Sequence, residues 1–461
     1  MKITSIVSWI VTVLVGVVVY YTAPLDVSPK FPIYLSLTCM AVSAWATNIL
    51  PATIIAAILT FAYILTGTAS PKVVFSPWGT VMPWLTFAAV NIGLAMERTN
   101  LAKRMALHCL RLTGGTFHGL MIGYALAGIA LVLILPSVMG RLVICCAMAV
   151  GMIEALNIDA KSRMSSAIIM MAFFAASGTI SMFLHSSDSF IWAFGILFKD
   201  SSVVVDWWEY LREGTLIAVI YYVLSMLLVY VVKGREKIEF GSEFSTFIKE
   251  SFDKLGPMSV KEKKLLVISI AVILAFMTQT LTGLNPAFIF CGLTMLCYFP
   301  GIDILKEEDV RKLNITIMVF VTGCMSIGSV GDVVGANTWV VKELMPMLQS
   351  LGYEGATIAA YVFGVLVNFL LTPLGAMAAF TPSFAELGAA MQVNPMPAFL
   401  AFHWGLDQFV FPYEAVYFLY IFVTGKVLLR HIAGALLIRM ALCGLLLAVV
   451  GIPYWKLIGL M

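Results

Sequence analysis

The sequence predicts an all-α polytopic membrane protein with about eleven transmembrane helices in two inverted-topology repeats. Composition is the first reason, because 61% of the 461 residues are hydrophobic and only 11% are charged. A soluble protein could not cover so much apolar surface. The second reason is that many apolar runs approach the ~20 residues that span a bilayer. The 28 basic and 25 acidic residues nearly balance, which argues against nucleic acid as a partner.

The first half begins with four apolar spans and then becomes irregular. Residues 98–111 form a basic amphipathic stretch, which we expect to lie at the membrane interface. The next apolar segments, 119–156 and 164–198, are too long or too interrupted for single helices, and 214–232 follows as one span. The four opening spans are 4–21, 33–49, 51–67 and 80–97.

The second half repeats this plan after a polar stretch. Its spans lie near 264–281, 285–300 and 313–331, followed by an amphipathic stretch at 333–350, broken regions at 357–392 and 397–425, and a last span at 433–452. We therefore predict scaffold spans at 1–97 and 264–332, a cytoplasmic linker at 233–263, and two further segments, 98–232 and 333–461. Each of these two segments holds an interface helix, a re-entrant hairpin, a broken helix and a following span.

Basic loops predict the orientation, since Lys and Arg favour the cytoplasmic side. They are concentrated in 98–111, 161–163, 233–264, 306–312 and 426–439. We therefore predict a cell-membrane protein whose basic stretches all lie on the cytoplasmic side. This arrangement places the N-terminus in the cytoplasm and the C-terminus outside. It also makes 119–156 and 357–392 re-entrant hairpins that open on opposite sides. Such inverted repeats are typical of secondary transporters.

Two interruptions with helix-breaking chemistry lie in apolar segments of the first half. Irregular backbone at membrane depth is tolerated only where it lines a cavity or is buried in protein. The first tip (residues 135–141) contains Ser137, Val138, Met139, Gly140 and Arg141, and the first break (residues 184–189) contains His185, Ser186, Ser187 and Asp188. The alternatives are a snorkelling arginine at a helix end and an external loop between two spans.

Two further interruptions occur at the corresponding places of the second half. The second tip (residues 371–378) contains Thr372, Pro373 and Gly375, and the second break (residues 405–414) contains Asp407, Gln408 and Glu414. The alternatives are a proline kink and a solvated loop. Half-helix N-termini attract anions, and freed carbonyls hold cations. Arg141 can bind carboxylate or sulfonate oxygens bidentately, so the sequence predicts a binding site for a small anion.

Several stretches resemble the divalent anion/sodium symporter family, which moves di- and tricarboxylates or sulfate. The run from Trp84 to Phe87 and from Gly93 to Arg104 is similar to the family's segment before the first hairpin. The run from Leu255 to Ser259, followed by Glu262-Lys263-Lys264, is similar to its entry into the second repeat. The tips stand where the family carries Ser-Asn-Thr, and the breaks stand where it carries Thr-Pro-Pro-Asn-like loops. This chain departs from those motifs at all four places.

The resemblance implies an elevator-type transporter in which the hairpins and broken helices move against a homodimeric scaffold. It also implies a coupling ion, either Na⁺ or H⁺, unless the protein works by anion exchange. We predict that the substrate is bound at the two tips and the first break, by Ser137, Val138, Met139, Gly140, Arg141, His185, Ser186, Ser187, Thr372, Pro373 and Gly375. The predicted coupling-ion residues are Asp188, Asp407, Gln408 and Glu414, with Na⁺ near Ser137, Asp188, Thr372 or Asp407.

Other classes fit the residues less well. A cation/proton antiporter of related hairpin architecture would use Asp188, Asp407 and Glu414 as carriers, but Arg141 disfavours a cation site. The five histidines show no metal-ligand spacing, and no HExxH, GxSxG or GxGD motif occurs, so we expect neither an enzyme nor a cofactor other than a possible Na⁺. The expected partners are a small anion, the lipid bilayer and a second copy of the chain.

Overall fold

The structure, a computed structural model, consists of helices and connecting loops in the part of the chain that it describes. The described residues are 3–47, 49–80, 82–187, 190, 193–194, 197, 206–236, 241–283, 286–311, 316–369, 373–412 and 414–461. These ranges contain helices and loops but no strand. The predicted all-α class is therefore confirmed.

The helices follow the apolar runs of the sequence closely in both halves. The first half contains α1 (Ile3–Thr22), α2 (Phe31–Ala46), α3 (Ala52–Leu65), α4 (Met82–Thr99), α5 (Leu101–Thr113), α6 (Phe117–Ile134), α7 (Val138–Ala155), α8 (Arg163–Ser177) and α9 (Trp207–Lys233). The second half contains α10 (Gly241–Leu255), α11 (Val260–Met277), α12 (Pro286–Met295), α13 (Thr316–Val334), α14 (Ala336–Asn368), α15 (Pro373–Met391), α16 (Met396–Leu406), α17 (Val416–Val423) and α18 (Leu429–Leu457).

Several of these helices have the length and hydropathy of membrane spans. Among the described residues, α6, α7, α9, α18 and the Ser350–Asn368 part of α14 meet both criteria, and six shorter helices are apolar. Large apolar side chains such as Leu65, Val423 and Val449 are exposed, as a lipid-facing surface requires. These features support a multi-pass membrane protein. The number of crossings, the re-entrant course of α6 and α7, and the orientation stay predictions.

The opening helices pack against a helix of the second half. Tyr34 Oη on α2 donates to the Ile327 carbonyl on α13 at 3.1 Å, and the Trp45 and Phe320 rings lie 6.0 Å apart. A Cβ on Gly323 would lie 2.8 Å from the Cβ of Ala56, so α3 and α13 approach closely. This packing supports the proposal that α1–α4 and α11–α13 form one scaffold, whose boundaries stay a prediction.

Residues with positive φ flank the helix that is predicted to lie at the interface in each half. Asn100 (φ 60°) and Gly114 (φ 77°) lie on either side of α5. Gly335 (φ 78°) and Gly352 (φ 65°) flank residues 336–351, the first part of α14. Glycine and asparagine tolerate this conformation better than other residues. In both halves a long helix, an interface helix and a helical hairpin therefore follow one another in the same order.

An additional helix, α10, lies within the predicted linker. Its apolar side chains recur at helical spacing, and Phe244 and Ile248 are buried. The Phe252 ring lies 4.8 Å from the ring of His108 on α5. Helix α10 is thus an amphipathic helix that packs against α5.

A buried ion pair joins α5 to the beginning of α11. Arg104 Nε donates to Glu262 Oε1 at 2.8 Å, and Arg104 Nη1 donates to the Gly256 carbonyl at 2.9 Å. Glu262 also accepts a hydrogen bond from the Ser259 N–H at 2.6 Å, which completes a capping box at the N-terminus of α11. The two halves of the chain are therefore tied together beside the linker.

One part of the predicted charge pattern is wrong. The stretch 426–439 was predicted as a basic loop, but α18 begins at Leu429 and Arg439 is only 1% exposed. Arg439 is therefore a buried residue of the last helix, and it contributes nothing to a loop charge.

Candidate functional site

The first tip is a short non-helical connection between α6 and α7. Residues 135–137 are extended, and α7 begins at Val138. Ser137 is the N-cap of α7, since its Oγ accepts a hydrogen bond from the Gly140 N–H at 3.2 Å. Val138, Met139 and Gly140 form the first turn, so their N–H groups lie at the positive end of the helix dipole. Pro136 explains the interruption, because it cannot donate in a continuous helix.

Arg141 is fully buried and connects the first tip to the end of α8. Its Nη1 donates to the Leu135 carbonyl at 2.6 Å and to the Ser186 carbonyl at 2.9 Å. Its Nη2 and Nε donate to the Ala176 carbonyl at 3.1 and 3.3 Å. The guanidinium therefore satisfies carbonyls that the ends of α6 and α8 leave without helical partners.

The described part of the first break, residues 184–187, is non-helical and polar. Helix α8 ends at Ser177, and residues 178–187 form turns. Ser186 Oγ accepts from the Phe183 N–H at 2.6 Å, and Ser187 Oγ accepts from the Phe190 N–H at 3.1 Å. Both serines are buried, and the two hydroxyl oxygens serve as local caps. The carboxylate predicted beside them, Asp188, lies outside the described residues.

His185 lies in an aromatic environment at the same break. Its Nδ1 accepts a hydrogen bond from Trp207 Nε1 at 3.0 Å, and its ring stacks on Phe183 at 5.8 Å. Its Nε2 is buried without a hydrogen-bond partner in the described part of the chain. Because Nδ1 accepts, Nε2 carries the proton in the neutral ring and is available as a donor.

The second tip is described only in part. Asn368 ends α14 and Pro373 begins α15, and Gly375 is buried in the first turn of α15. Asn368 Nδ2 donates to the Gln408 carbonyl at 3.0 Å and to Glu414 Oε2 at 3.5 Å. This contact joins the end of α14, just before the second tip, to the second break. Thr372 lies outside the described residues.

The second break is unwound between α16 and α17, and its predicted polar residues are buried. Asp407, Gln408 and Glu414 are at most 3% exposed. Gln408 Nε2 donates to the hydroxyl of Tyr221 on α9 at 2.7 Å and to the Trp404 carbonyl at 2.8 Å. Glu414 Oε2 accepts from the Val410 N–H at 2.8 Å. The solvated-loop alternative is therefore wrong for these three side chains.

Arg439 is the residue of this site that the sequence analysis missed. Its Nη2 donates to Asp407 Oδ2 at 2.5 Å and its Nη1 to the Asp407 carbonyl at 2.7 Å. Its Nε donates to the hydroxyl of Ser225 at 3.1 Å, and the Tyr221 ring lies 4.8 Å from its Cζ. A single arginine inside the apolar run of α18 was the available signal.

Four side chains around the second break each make hydrogen bonds through one polar atom and leave one oxygen unpaired. The hydrogen bonds are those described above. Within the described ranges, the oxygens without a hydrogen-bond partner are Asn368 Oδ1, Asp407 Oδ1, Gln408 Oε1 and Glu414 Oε1. All four are acceptors, whereas the first tip and break contain the positively charged Arg141, which is bound to carbonyls, and the His185 Nε2–H group. The two halves of the site thus differ in polarity.

Direct contacts join the first break to the helix before the second. Trp404 Nε1 on α16 donates to Ser181 Oγ at 2.9 Å, and the His403 ring lies 4.8 Å from the Phe190 ring. Tyr221 Oη donates to Asp407 Oδ2 at 3.4 Å. The interrupted segments of both halves therefore belong to one packed core.

A family model described as "Sodium:sulfate symporter transmembrane region" matches residues 3–461. The chain belongs to the sodium:sulfate symporter family. The resemblance inferred from the run before the first hairpin and from the entry into the second repeat is thereby confirmed.

Curated relatives of this sodium:sulfate symporter family member are distant in sequence. Dicarboxylate transporter 1 of Spinacia oleracea, a chloroplastic protein, is 22% identical over 415 residues, which cover 86% of this chain and 71% of the relative. An L-tartrate/succinate antiporter of Escherichia coli is 21% identical over 339 residues, covering 68% of this chain and 66% of the relative. A membrane protein of Cupriavidus necator is 26% identical over 296 residues, covering 62% of this chain but only 55% of the relative.

Proposed function

We propose that this protein is a secondary active transporter of small organic anions of the di- or tricarboxylate type. The supporting observation is the donor set around the first tip, where the first turn of α7, the hydroxyls of Ser137, Ser186 and Ser187, and the buried guanidinium of Arg141 lie on connected segments. Such an arrangement favours a carboxylate over a cation. The names of the spinach and Escherichia coli relatives support the same substrate class.

Each predicted substrate residue has a role in this proposal. Ser137, Ser186, Ser187 and Thr372 donate hydroxyl hydrogen bonds, and His185 donates from Nε2. The first turns of α7, with Val138, Met139 and Gly140, and of α15, with Pro373 and Gly375, present positive dipole ends. Arg141 supplies positive potential from behind the first tip, while it fixes that tip to the first break.

We further propose that the two hairpins, the broken helices, α9 and α18 move as one unit against a scaffold of α1–α4 and α11–α13. The contact of Trp404 with Ser181 and the contact of Arg439 with Asp407 support a single moving body, because they join segments distant in sequence. The repeated order of helices and left-handed turns supports the inverted repeats. A homodimer formed through the scaffold completes the proposal, and light scattering of the detergent-solubilised protein would test it.

Uptake into proteoliposomes tests the proposed function. Radiolabelled succinate, citrate and sulfate are offered to vesicles with and without the protein, with unlabelled L-tartrate as competitor. We expect accumulation of at least one carboxylate in the protein-containing vesicles alone. No accumulation of any anion, together with sodium-driven proton movement in the same vesicles, would instead support the cation/proton antiporter.

A further inference from the structure

The beginning of α9 is hydrogen-bonded to the unwound segment that follows α8. Tyr210 Oη donates to the Ser181 carbonyl at 2.5 Å, and Trp207 Nε1 donates to His185 Nδ1 at 3.0 Å. The first of these bonds holds the backbone of the segment. The second holds a side chain that is proposed to bind the substrate.

The Trp207 indole is itself held in one orientation. A capping box between Asp206 and Glu209 fixes the first turn of α9, and Trp207 is the first residue of that turn. The Trp207 side chain is buried, and its ring stacks on Phe183 at 5.9 Å with an interplanar angle of 7°. The Trp208 ring packs edge-on against it at 5.0 Å. The direction of the indole N–H group is therefore determined by packing.

This hydrogen bond determines which nitrogen of His185 carries the proton. An indole N–H group can only donate, so His185 Nδ1 has to be an unprotonated acceptor. The proton of the neutral ring is then on Nε2. A second proton, on Nδ1, would place two hydrogens between the same two nitrogens and would break the bond to Trp207. The contact thus excludes both the other tautomer and the imidazolium form.

The described groups around the His185 ring provide no negative charge that would favour imidazolium. Arg141 on α7 is positively charged and opposes a second proton on the ring. The Phe276 ring on α11 lies 5.5 Å away and is uncharged, and α6 contributes the Leu133 carbonyl. The two acidic side chains at the start of α9 are engaged in the capping box. Asp188 lies outside the described residues.

We propose that Trp207 is a positioning residue for substrate binding, which holds His185 as a neutral donor with its proton on Nε2. This inference rests on the proposed function, in which His185 Nε2 donates to the substrate carboxylate. The other tautomer would present an acceptor lone pair to the carboxylate and repel it, whereas imidazolium would attract it more strongly. Without Trp207 the donor at the first break would therefore vary with pH.

Nitrogen NMR tests the protonation state of His185 directly. The reconstituted protein is labelled with ¹⁵N at histidine only, and His185→Gln identifies the signals of this residue. We expect Nε2 alone to carry a proton at both about pH 6 and about pH 8 in the unmodified protein. Trp207→Phe keeps a stacked ring but removes the N–H group, and we expect it to show a protonated Nδ1 at about pH 6.

Uptake of radiolabelled L-tartrate tests the consequence for transport. L-tartrate is used because both of its carboxyl groups stay ionised between about pH 6 and about pH 8, and each pH is set equal on both sides of the proteoliposome membrane. The quantity measured is the uptake by a variant divided by the uptake by the unmodified protein. For Trp207→Phe we expect this ratio to change at least threefold between the two pH values. For Trp207→Phe, His185→Gln it should be constant, because glutamine does not titrate.

Trp208→Phe is the matched control. Trp208 is 48% exposed, and its Nε1 donates to the Met277 carbonyl, so the substitution removes an indole N–H group that does not contact His185. Its uptake ratio should be independent of pH. A protonated Nδ1 in the unmodified protein, or a Trp207→Phe ratio as constant as that of Trp208→Phe, would overturn the inference and leave the proposed function standing. No uptake of L-tartrate, succinate, citrate or sulfate by the unmodified protein would overturn the proposed function, and with it the role of His185 at a substrate.

Discussion

Arg439 and Asp407 form an ion pair between the last helix and the second break, with Nη2 2.5 Å from Oδ2. The two side chains are 1% and 3% exposed, so neither charge is solvated. The desolvation of such a pair offsets most of its Coulomb attraction, whereas loss of one partner leaves a buried charge uncompensated. The pair therefore stabilises the arrangement of α18 against the second break more than it stabilises the fold as a whole.

Replacement of one partner of this pair should be far more destabilising than replacement of both. We expect Arg439→Met to lower the free energy of unfolding by about 3–5 kcal/mol. The double variant Arg439→Met, Asp407→Leu should recover most of that loss. Thermal unfolding in detergent, followed by tryptophan fluorescence, measures both effects, with Arg430→Met as the exposed control. Equal destabilisation by the single and double variants would show that the loss comes from packing and not from charge.

Removal of the Arg141 guanidinium should abolish transport. It donates to three carbonyls, and charge-assisted hydrogen bonds are worth roughly 1.5–3 kcal/mol each. Because loss of these bonds detaches the first tip from the first break, we expect Arg141→Ala to keep less than about a tenth of succinate uptake, a change equivalent to about 1.4 kcal/mol. Arg104→Ala is no suitable control, because Arg104 is itself buried and paired with Glu262. Arg430→Ala serves instead, and uptake by Arg141→Ala within twofold of the unmodified protein would refute the prediction.

The Arg104–Glu262 pair should make stability sensitive to acid. Burial raises the pKa of the Glu262 carboxyl, but hydrogen bonds from Arg104 and Ser259 outweigh burial and hold this pKa below its ordinary value of 4.5. Because this pKa is lowered in the folded protein, the ionised carboxylate stabilises the fold above pH 4.5. That stabilisation is lost as the pH falls through the lowered pKa. We expect Glu262→Gln to be less stable than the unmodified protein at pH 7 and the difference to shrink below about pH 4.5. Melting temperatures across about pH 3–7 test this, and a difference that does not shrink below about pH 4.5 would contradict it.

The close approach of α14 and α16 should make Gly405 sensitive to a single methyl group. A Cβ at Gly405 would lie 2.3 Å from the Tyr361 carbonyl and 2.9 Å from the Cα of Gly364, so two helix backbones would have to separate. Gly405→Ala should therefore destabilise the protein and reduce uptake. Gly434→Ala is the matched control, since nothing lies within 4 Å of its added methyl and alanine favours a helix by roughly 0.5–1 kcal/mol. Similar melting temperatures for the two variants would rule out the steric argument.

The predicted orientation can be measured with reporter fusions. We expect green fluorescent protein fused after Glu236 to fluoresce, because the linker is predicted to be cytoplasmic. Alkaline phosphatase fused after Met461 should be active, because that end is predicted to lie outside. Each reporter exchanged to the other position should be silent. The opposite pattern at both positions would invert the predicted topology.

Polar and helix-breaking residues made three of the interruptions predictable from the sequence, namely the first tip and the two breaks. Pro136, the run from His185 to Ser187 and the carboxylates of the second break stand out within apolar segments. The first unwound segment nevertheless begins earlier than predicted, at Gly178. A Cβ there would lie 2.8 Å from the Tyr222 ring, so the end of α8 is fitted to a neighbouring helix that the local sequence does not reveal.

The sequence analysis did not predict helix α10 or the role of Arg439, and the reasons differ. Phe244, Phe247, Ile248 and Phe252 recur at helical spacing, so α10 could have been recognised within the polar linker. The role of Arg439 could not be recognised in the same way. A charge in an apolar run indicates a buried partner, but the identity of that partner depends on how distant helices pack.

The pairing of Arg439 with Asp407 also has a consequence for synthesis. The two residues are 32 positions apart, and Asp407 precedes α18 in the chain, so the segment that holds Asp407 leaves the ribosome before α18 does. Until α18 inserts, the carboxylate has neither its guanidinium partner nor the hydrogen bonds that the pair makes together. The last helix is therefore the step that completes assembly of the second half. Chains that terminate before Arg439 should be recognised by membrane quality control and degraded.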